Sequence, residues 1–235
     1  MPEAFTPIVR PEIFELRPDY TALSVVADGV RNADRHPLSD AILAAACGAP
    51  PPDWAEAHLE AWRAAYRAFG AKPQRTPCSA EALMRRVQSD GGLPAINAAV
   101  DLYNGLSVRF ALPIGGENLA AYAGPPRLCR ATGEETFDTL RDGAPYAETV
   151  PAGEVIWSDD RGATCRRWNW RQGVRTRIDM ATTRMWFILE RLEPMPVAAL
   201  VEAAGLLVDA LGKLSPGTMI SSALIDRSGV RPDPR

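Results

Sequence analysis

An α+β fold, with helices packed on a predominantly antiparallel β region, is predicted by three features of the sequence. Amphipathic helical stretches occupy the chain from about residue 53 to Gly105. From Leu106 to about Met180, Pro113, Gly115-Gly116, Gly124-Pro125-Pro126, Gly133, Asp142-Gly143, Pro151, Gly153, Gly162 and Gly173 divide short strand-like segments. Helical periodicity then returns after residue 183.

The elements follow in order. Ile13-Phe14-Glu15-Leu16 reads as extended, and Tyr20 to Ala27, rich in β-branched and apolar residues, as a strand closed by Asp28-Gly29. Ala41 to Cys47 suits a short helix stopped by Gly48 and Pro50-Pro51-Pro52. Asp53 is placed to cap a helix whose Trp54, Leu59, Trp62, Tyr66 and Phe69 recur at helical spacing up to Gly70. A third helix begins at Ser79, with the hydroxyl ahead of a first-turn acid, and runs to about Ser89. Pro94 suits the first turn of a fourth, ending at Gly105. Thr183 to Leu192 and Val197 to Leu211 read as two further helices, and Thr218 to Ile225 as a last strand. Residues 229–235 read as a disordered tail.

With 235 residues and 46% hydrophobic content, one sizeable core is expected, and a single domain over residues 1–235. The opening Met1-Pro2-Glu3-Ala4-Phe5-Thr6-Pro7 has no basic stretch leading into an apolar run, and no later segment approaches a membrane span, so a cytoplasmic location is expected. The four cysteines are too far apart in sequence for zinc or thiol-exchange pairing, and His36 and His58 have no ligand spacing, so no metal and no cofactor are expected. A net charge of −3 argues against general coating of nucleic acid, and DNA is not an expected partner. The charge is unevenly placed, however. Residues 161–177 hold six arginines and no acid, and a second basic stretch carries Arg63, Arg67, Lys72, Arg75, Arg85 and Arg86. Both are candidates for phosphate contact or for solvated surface.

No serine elbow and no glycine-rich phosphate loop is present, so covalent hydrolase chemistry has no visible support. The most unusual stretch is Cys165 to Gln172. As a strand it sends Arg167, Asn169 and Arg171 to one face and Trp168 and Trp170 to the other. Tryptophans in the core with solvated arginines is the plainer reading. The functional one is a wall of an RNA-end pocket, where aromatic and guanidinium planes stack on bases.

The segment Pro94 to Asn104 followed by Leu112-Pro113-Ile114-Gly115, then Leu128 to Glu135, then Glu154 to Asp159, resembles in order the editing domain of the phenylalanyl-tRNA synthetase beta subunit, called B3/B4. With Arg63 to Lys72 and Ser79 to Arg86, the chain looks like the stand-alone form of that domain. The resemblance spans residues 54–192, with 1–53 and 193–228 as flanking elements. It implies a B3/B4-like α+β fold that binds the aminoacylated 3′ end of tRNA and hydrolyses a wrong amino acid from it. Such a site exists because a synthetase pocket cannot strongly reject near-isosteres by binding alone. The water is implied to be held by the site and by the substrate's ribose hydroxyls, with Glu134 and Asp179 as the catalytic carboxylates. Asn104, Arg167, Trp168, Asn169, Trp170 and Arg171 are the implied substrate contacts, and Arg63, Arg67, Arg85 and Arg86 the tRNA contacts. The chain departs from the synthetase pattern in having Gly115 in place of a histidine and Trp170, Arg171 and Gln172 in place of a glycine-rich wall. A stand-alone relative clears canavanine, an arginine mimic, from the arginine tRNA, and an arginine-lined pocket would repel arginine more than this less basic mimic. The alternatives are a non-catalytic binder of RNA ends or small molecules that keeps the fold, and a hydrolase of other acyl or amide compounds.

Overall fold

The structure, a computed structural model, describes residues 6–233. Met1 to Phe5 and the last two residues of the expected tail lie outside the described residues. A five-stranded antiparallel sheet organises the interior. Its strands are β2 (Thr21–Asp28), β3 (Ile114–Asn118), β10 (Arg184–Arg191), β11 (Met219–Asp226) and β12 (Gly229–Pro232), in the order β12-β11-β2-β10-β3. The two central strands are covered on both faces. Leu23, Val25 and Ala27 of β2, with Met185, Phe187 and Leu189 of β10, pack on helices α5 (Ala98–Phe110) and α6 (Val197–Leu214). Ala22, Trp186 and Ile188 point the other way, toward α3 (Ala55–Ala68) and a second sheet.

That second sheet has the order β1-β4-β7-β8-β5-β6, formed by β1 (Ile8–Val9), β4 (Arg127–Arg130), β5 (Thr136–Arg141), β6 (Ala144–Thr149), β7 (Val155–Asp159) and β8 (Gly162–Arg166), with the short β9 (Arg171–Gln172) on β8. All its pairs are antiparallel except β1 with β4 and β5 with β8. Leu128, Val155 and Trp157 face the first sheet. α1 (Pro11–Leu16), α2 (Pro37–Gly48) and α4 (Ser79–Asp90) complete the chain. Among the described residues no helix is long and apolar enough to cross a membrane.

Several elements differ from the sequence reading, each for a physical reason. Thr183 to Leu192 is not a helix, because Met185 to Leu189 is an apolar run buried on both faces of a central strand, and such a run carries no period. Ile13 to Leu16 is helical, Pro11 providing the fixed φ that suits a first turn. The fourth helix starts at Ala98, capped by the Asn97 side chain on the Val100 N–H. It runs past Gly105, whose missing side chain admits Ile42 of α2 at 2.9 Å from where a Cβ would lie. Asp53 does not cap α3, since Trp54 holds that position; α4 begins at Ser79 as expected. Gly229 to Pro232, expected within a disordered tail, pairs with β11.

Candidate functional site

Side-chain alternation along β10 sends Trp186, Ile188 and therefore Glu190 into the space between the sheets. Glu117 of β3 lies directly opposite Trp186 and shares that face. Two carboxylates consequently line one cavity of about 240 Å³, bounded by α4 (Ser79, Leu83), α5 (Tyr103, Asn104), β3, β7 (Trp157) and the β8–β9 connection. Gly116 leaves room for the Tyr103 ring, which would lie 2.6 Å from an added Cβ. The paired glycines at 115–116 thus serve close packing.

Glu190 is 1% exposed and, among the described residues, has no cation bonded to it. Its Oε1 accepts from the Tyr20 hydroxyl at 2.8 Å, Trp168 Nε1 at 3.0 Å and Trp157 Nε1 at 3.3 Å, and its Oε2 from Asn169 Nδ2 at 3.0 Å. The Tyr66 hydroxyl donates to Asn169 Oδ1 at 2.8 Å, which fixes the amide's orientation. Burial raises the Glu190 pKa to about 7 against the pull of these donors. Glu117 is 5% exposed and is also raised to about 7 by burial, opposed by its hydrogen bond from the Tyr122 hydroxyl. The same hydroxyl lies 3.1 Å from Thr164 Oγ1. Gln172 Nε2 donates to the carbonyls of Gly116 at 2.9 Å and Thr176 at 3.2 Å, closing β9 over β3. From this buried floor the lining grades through half-buried Asn104, Trp170 and Gln172 to exposed Arg171.

Nucleophiles in and near the cavity are not activated. Burial pushes the Cys165 thiol well above its usual range, with Glu117 and Glu190 adding to the rise. His58, outside the cavity, is lowered to about 4 by burial. Its Nε2 accepts from Trp62 Nε1 and the Leu192 N–H, so its Nδ1 carries the proton and donates to the Ala111 carbonyl at 2.9 Å. It ties α3 to the ends of α5 and β10. Ser79 Oγ is buried without a partner.

The residues expected from the sequence divide. Asn104, Trp168, Asn169, Trp170 and Arg171 line the cavity. The strand alternation expected for 167–171 does not hold: β8 stops at Arg166, and Arg167 and Trp168 adopt left-handed φ values of 48° and 66°. For non-glycine residues this costs about 1 kcal/mol each or more. The turn is held by the Arg167 N–H donating to Glu154 Oε1, by the Trp168 N–H donating to the Val155 carbonyl, and by Arg166, which clasps Glu154 and Glu148. Trp168 is thereby fully buried against Tyr20, Trp62 and Phe69, while Arg167 leaves the cavity and stacks on Trp170, 4.3 Å from its ring.

Glu134 and Asp179 do not join Asn104. Glu134 is exposed in the turn after Gly133, and Asp179 is exposed, its carboxylate accepting from Thr182 Oγ1 at 2.7 Å and the Ala181 N–H at 3.0 Å in the turn before β10. The two carboxylates that do line the cavity, Glu117 and Glu190, escaped the sequence reading. The available signal was a lone acid ending the apolar run Met185 to Leu189, and it was hidden by reading that run as a helix. Arg63, Arg67, Arg85 and Arg86 are each engaged by a carboxylate, from Glu56, Glu60, Glu81 or Asp90.

Residues 61–218 match the model of the B3/4 domain family. No curated protein matches the chain. Among solved structures, an N-terminal fragment of the phenylalanyl-tRNA synthetase beta subunit from Pyrococcus horikoshii is similar with a TM-score of 0.52 and 12% sequence identity, over 98% of this chain and 54% of that one. The chain thus spans about half the length of that fragment, and at this identity the likeness is one of fold.

Proposed function

Because the chain belongs to the B3/4 domain family, and because its cavity holds two buried carboxylates poised near neutrality, we propose that it hydrolyses the ester joining a wrongly attached amino acid to the 3′ end of tRNA. The observation that carries this reading is the presence of both Glu117 and Glu190 in the lining of one tryptophan-lined cavity that opens at Arg171. In this scheme the amino acid side chain enters the cavity and its polar end meets Glu190. Asn104 and Ser79 hydrogen-bond the ester, and Trp170 and Arg171 meet the terminal nucleotide at the exposed end. With no activated thiol or histidine, water is the nucleophile. It adds to the ester carbonyl as the Glu117 carboxylate takes its proton, with the neighbouring ribose hydroxyl helping to hold it. The bond from the carbonyl carbon to the ribose oxygen then breaks, that oxygen takes the proton back, and free amino acid and tRNA leave.

The candidate substrate is canavanyl-tRNA(Arg). A guanidine-like group less basic than arginine offers several hydrogen-bond donors to Glu117 and Glu190 without bringing a full charge into a space walled by tryptophan, whereas arginine must be desolvated as a cation. Selectivity on this account comes from the cost of desolvating a cation in the tryptophan-walled space and not from arginine repulsion, since Arg167 lies outside the cavity and Arg171 stands at its mouth. A second reading, a non-catalytic binder of RNA ends, is favoured by one observation: Cys165, a nucleophile within the cavity, is held protonated.

Deacylation of a panel of charged tRNAs decides between them. Canavanyl-tRNA(Arg) is expected to lose its amino acid at least tenfold faster than arginyl-tRNA(Arg). No rate above spontaneous hydrolysis for any member of the panel would leave binding as the function.

A further inference from the structure

A second cleft, of about 470 Å³, lies beside the cavity. It is lined by residues 69–72, Arg75 and Thr76 after α3, by Pro151, Ala152 and Glu154, and by Arg167. Lys72 and Arg75 are exposed there and, among the described residues, face no carboxylate within ion-pair distance. The backbone turn that carries them is held: the Lys72 carbonyl accepts the N–H groups of Arg75 at 2.9 Å and Thr76 at 3.0 Å, and the Thr76 hydroxyl at 3.2 Å. The one acid in the lining, Glu154, is occupied by both arms of Arg166. Arg167 also approaches Glu154, at 3.5 Å, so the cleft's excess of positive charge comes chiefly from Lys72 and Arg75, with Arg166 and Arg167 sharing the one acid. The basic face of α3 and α4 contrasts with this, because its four arginines meet four acids.

The cleft and the cavity are joined through one stack. Arg167 lies over the Trp170 ring from the cleft side, and Arg171 lies 5.9 Å from the same ring on the cavity side. Planar aromatic and guanidinium groups between a cationic groove and a pocket suit a nucleic acid strand whose phosphates track the groove while a base stacks near its end. Gly133 packs on Ala152, which puts the acidic turn Glu134-Glu135 beside the cleft and disfavours phosphate there.

We infer that the Lys72–Arg75–Arg167 cleft is the binding groove for the phosphate backbone of the RNA strand whose 3′ end enters the cavity, in place of the ion-paired arginines of α3 and α4. The inference rests on the reading of the cavity as a site for the end of tRNA. It is tested by the affinity of the intact protein for an uncharged RNA minihelix ending in a single-stranded 3′ tail, measured across a salt series. Charge reversal in Lys72→Glu/Arg75→Glu is expected to weaken binding at least tenfold and to lower the slope of log affinity against log salt by about one to two. Both residues are exposed on a turn, so the thermal midpoint should stay near that of the wild type. The milder Lys72→Ala is expected to weaken binding by a smaller factor in the same direction, and it replaces the double variant if that one unfolds. The quadruple variant Arg63→Ala/Arg67→Ala/Arg85→Ala/Arg86→Ala should bind within twofold of the wild type. Binding of the cleft variants within twofold of the wild type overturns the inference, as does a larger loss in the quadruple variant. A wild type that does not bind the minihelix overturns both the inference and the proposed function. Binding through the cleft without deacylation of any charged tRNA supports the inference and sinks the proposed hydrolysis alone.

Discussion

Asp159, at the end of β7, and Glu190, on the cavity floor, are both acids taken out of water, at 4% and 1% exposure, yet they behave oppositely. Asp159 meets the Arg175 guanidinium through both oxygens, at 2.8 and 2.9 Å, and accepts the N–H groups of Ala123 and Arg161. Burial would raise its pKa, but these partners carry it below the usual carboxylate range. Glu190 has four donors as well, all of them neutral, and burial lifts it to about 7. The number of hydrogen bonds does not separate the two. A charge partner and a shallower site do: with both, an acid is held ionised as scaffolding, and a deeply buried acid with only neutral donors can hold or release a proton near neutral pH.

Removing the scaffold acid should have the largest effect on stability. Asp159→Asn leaves Arg175 largely buried without its counter-charge and should cost about 3 kcal/mol, read as a lower midpoint in urea. A cost under about 1 kcal/mol would mean that the pair contributes little and that the contrast is misdrawn. Glu190→Gln should reverse the pattern, losing about a hundredfold in deacylation kcat/KM while costing about 1–2 kcal/mol in stability, because the amide keeps the shape but presents a donor to donors. A stability loss larger than that of Asp159→Asn would make Glu190 a folding residue first.

The two acids should also separate by pH. A folded pKa of about 7 against an ordinary value of 4.5 means that the folded protein holds the proton more tightly. The stability contributed by Glu117 and Glu190 is therefore full below about pH 4.5 and is lost as pH rises to about 7. The lowered pKa of Asp159 acts in the other direction, contributing stability above its ordinary 3.8 that is lost as pH falls through the folded value. Urea titrations at several pH values should show Glu117→Gln and Glu190→Gln each flattening the curve between pH 4.5 and 7, and Asp159→Asn changing its shape only in acid. A wild-type curve flat from pH 5 to 7 would contradict the assignment.

The smallest stability effect is expected at the cavity mouth. Trp170→Leu should barely move the thermal midpoint, since the ring is half-buried, whereas Trp168→Leu should lower it by several degrees through loss of contacts with Tyr20, Trp62 and Phe69. Equal drops for both would place Trp170 in the core.

The same contrast explains how much was legible in the sequence. Helices with one apolar face, such as α3 with Leu59, Trp62 and Tyr66, announce themselves by period. β2 and β11 are legible without a period, because their β-branched and apolar runs end at turn residues. Asn104 and Arg171, expected as substrate contacts, both line the cavity, whereas Glu134 and Asp179 do not. β10 was misread because burial on both faces erases its alternation, and Glu190 was lost with it. The donors that define Glu190 come from Tyr20, Trp157, Trp168 and Asn169, spread over 150 residues, and only the packing of the two sheets assembles them. The turn at Arg167 and Trp168 was equally illegible, because neither residue type favours a left-handed φ and the Glu154 carboxylate that stabilises it lies 13 residues away.

The most direct test of the cavity as a hydrolytic site is the pH profile of single-turnover deacylation of canavanyl-tRNA(Arg) by the wild type and by Glu117→Gln. If Glu117 is the base, the wild-type rate should rise with pH to a plateau with an apparent pKa near 7, and the variant should be at least a hundredfold slower with that rise abolished. A variant with the wild-type rate and the same profile would contradict the account.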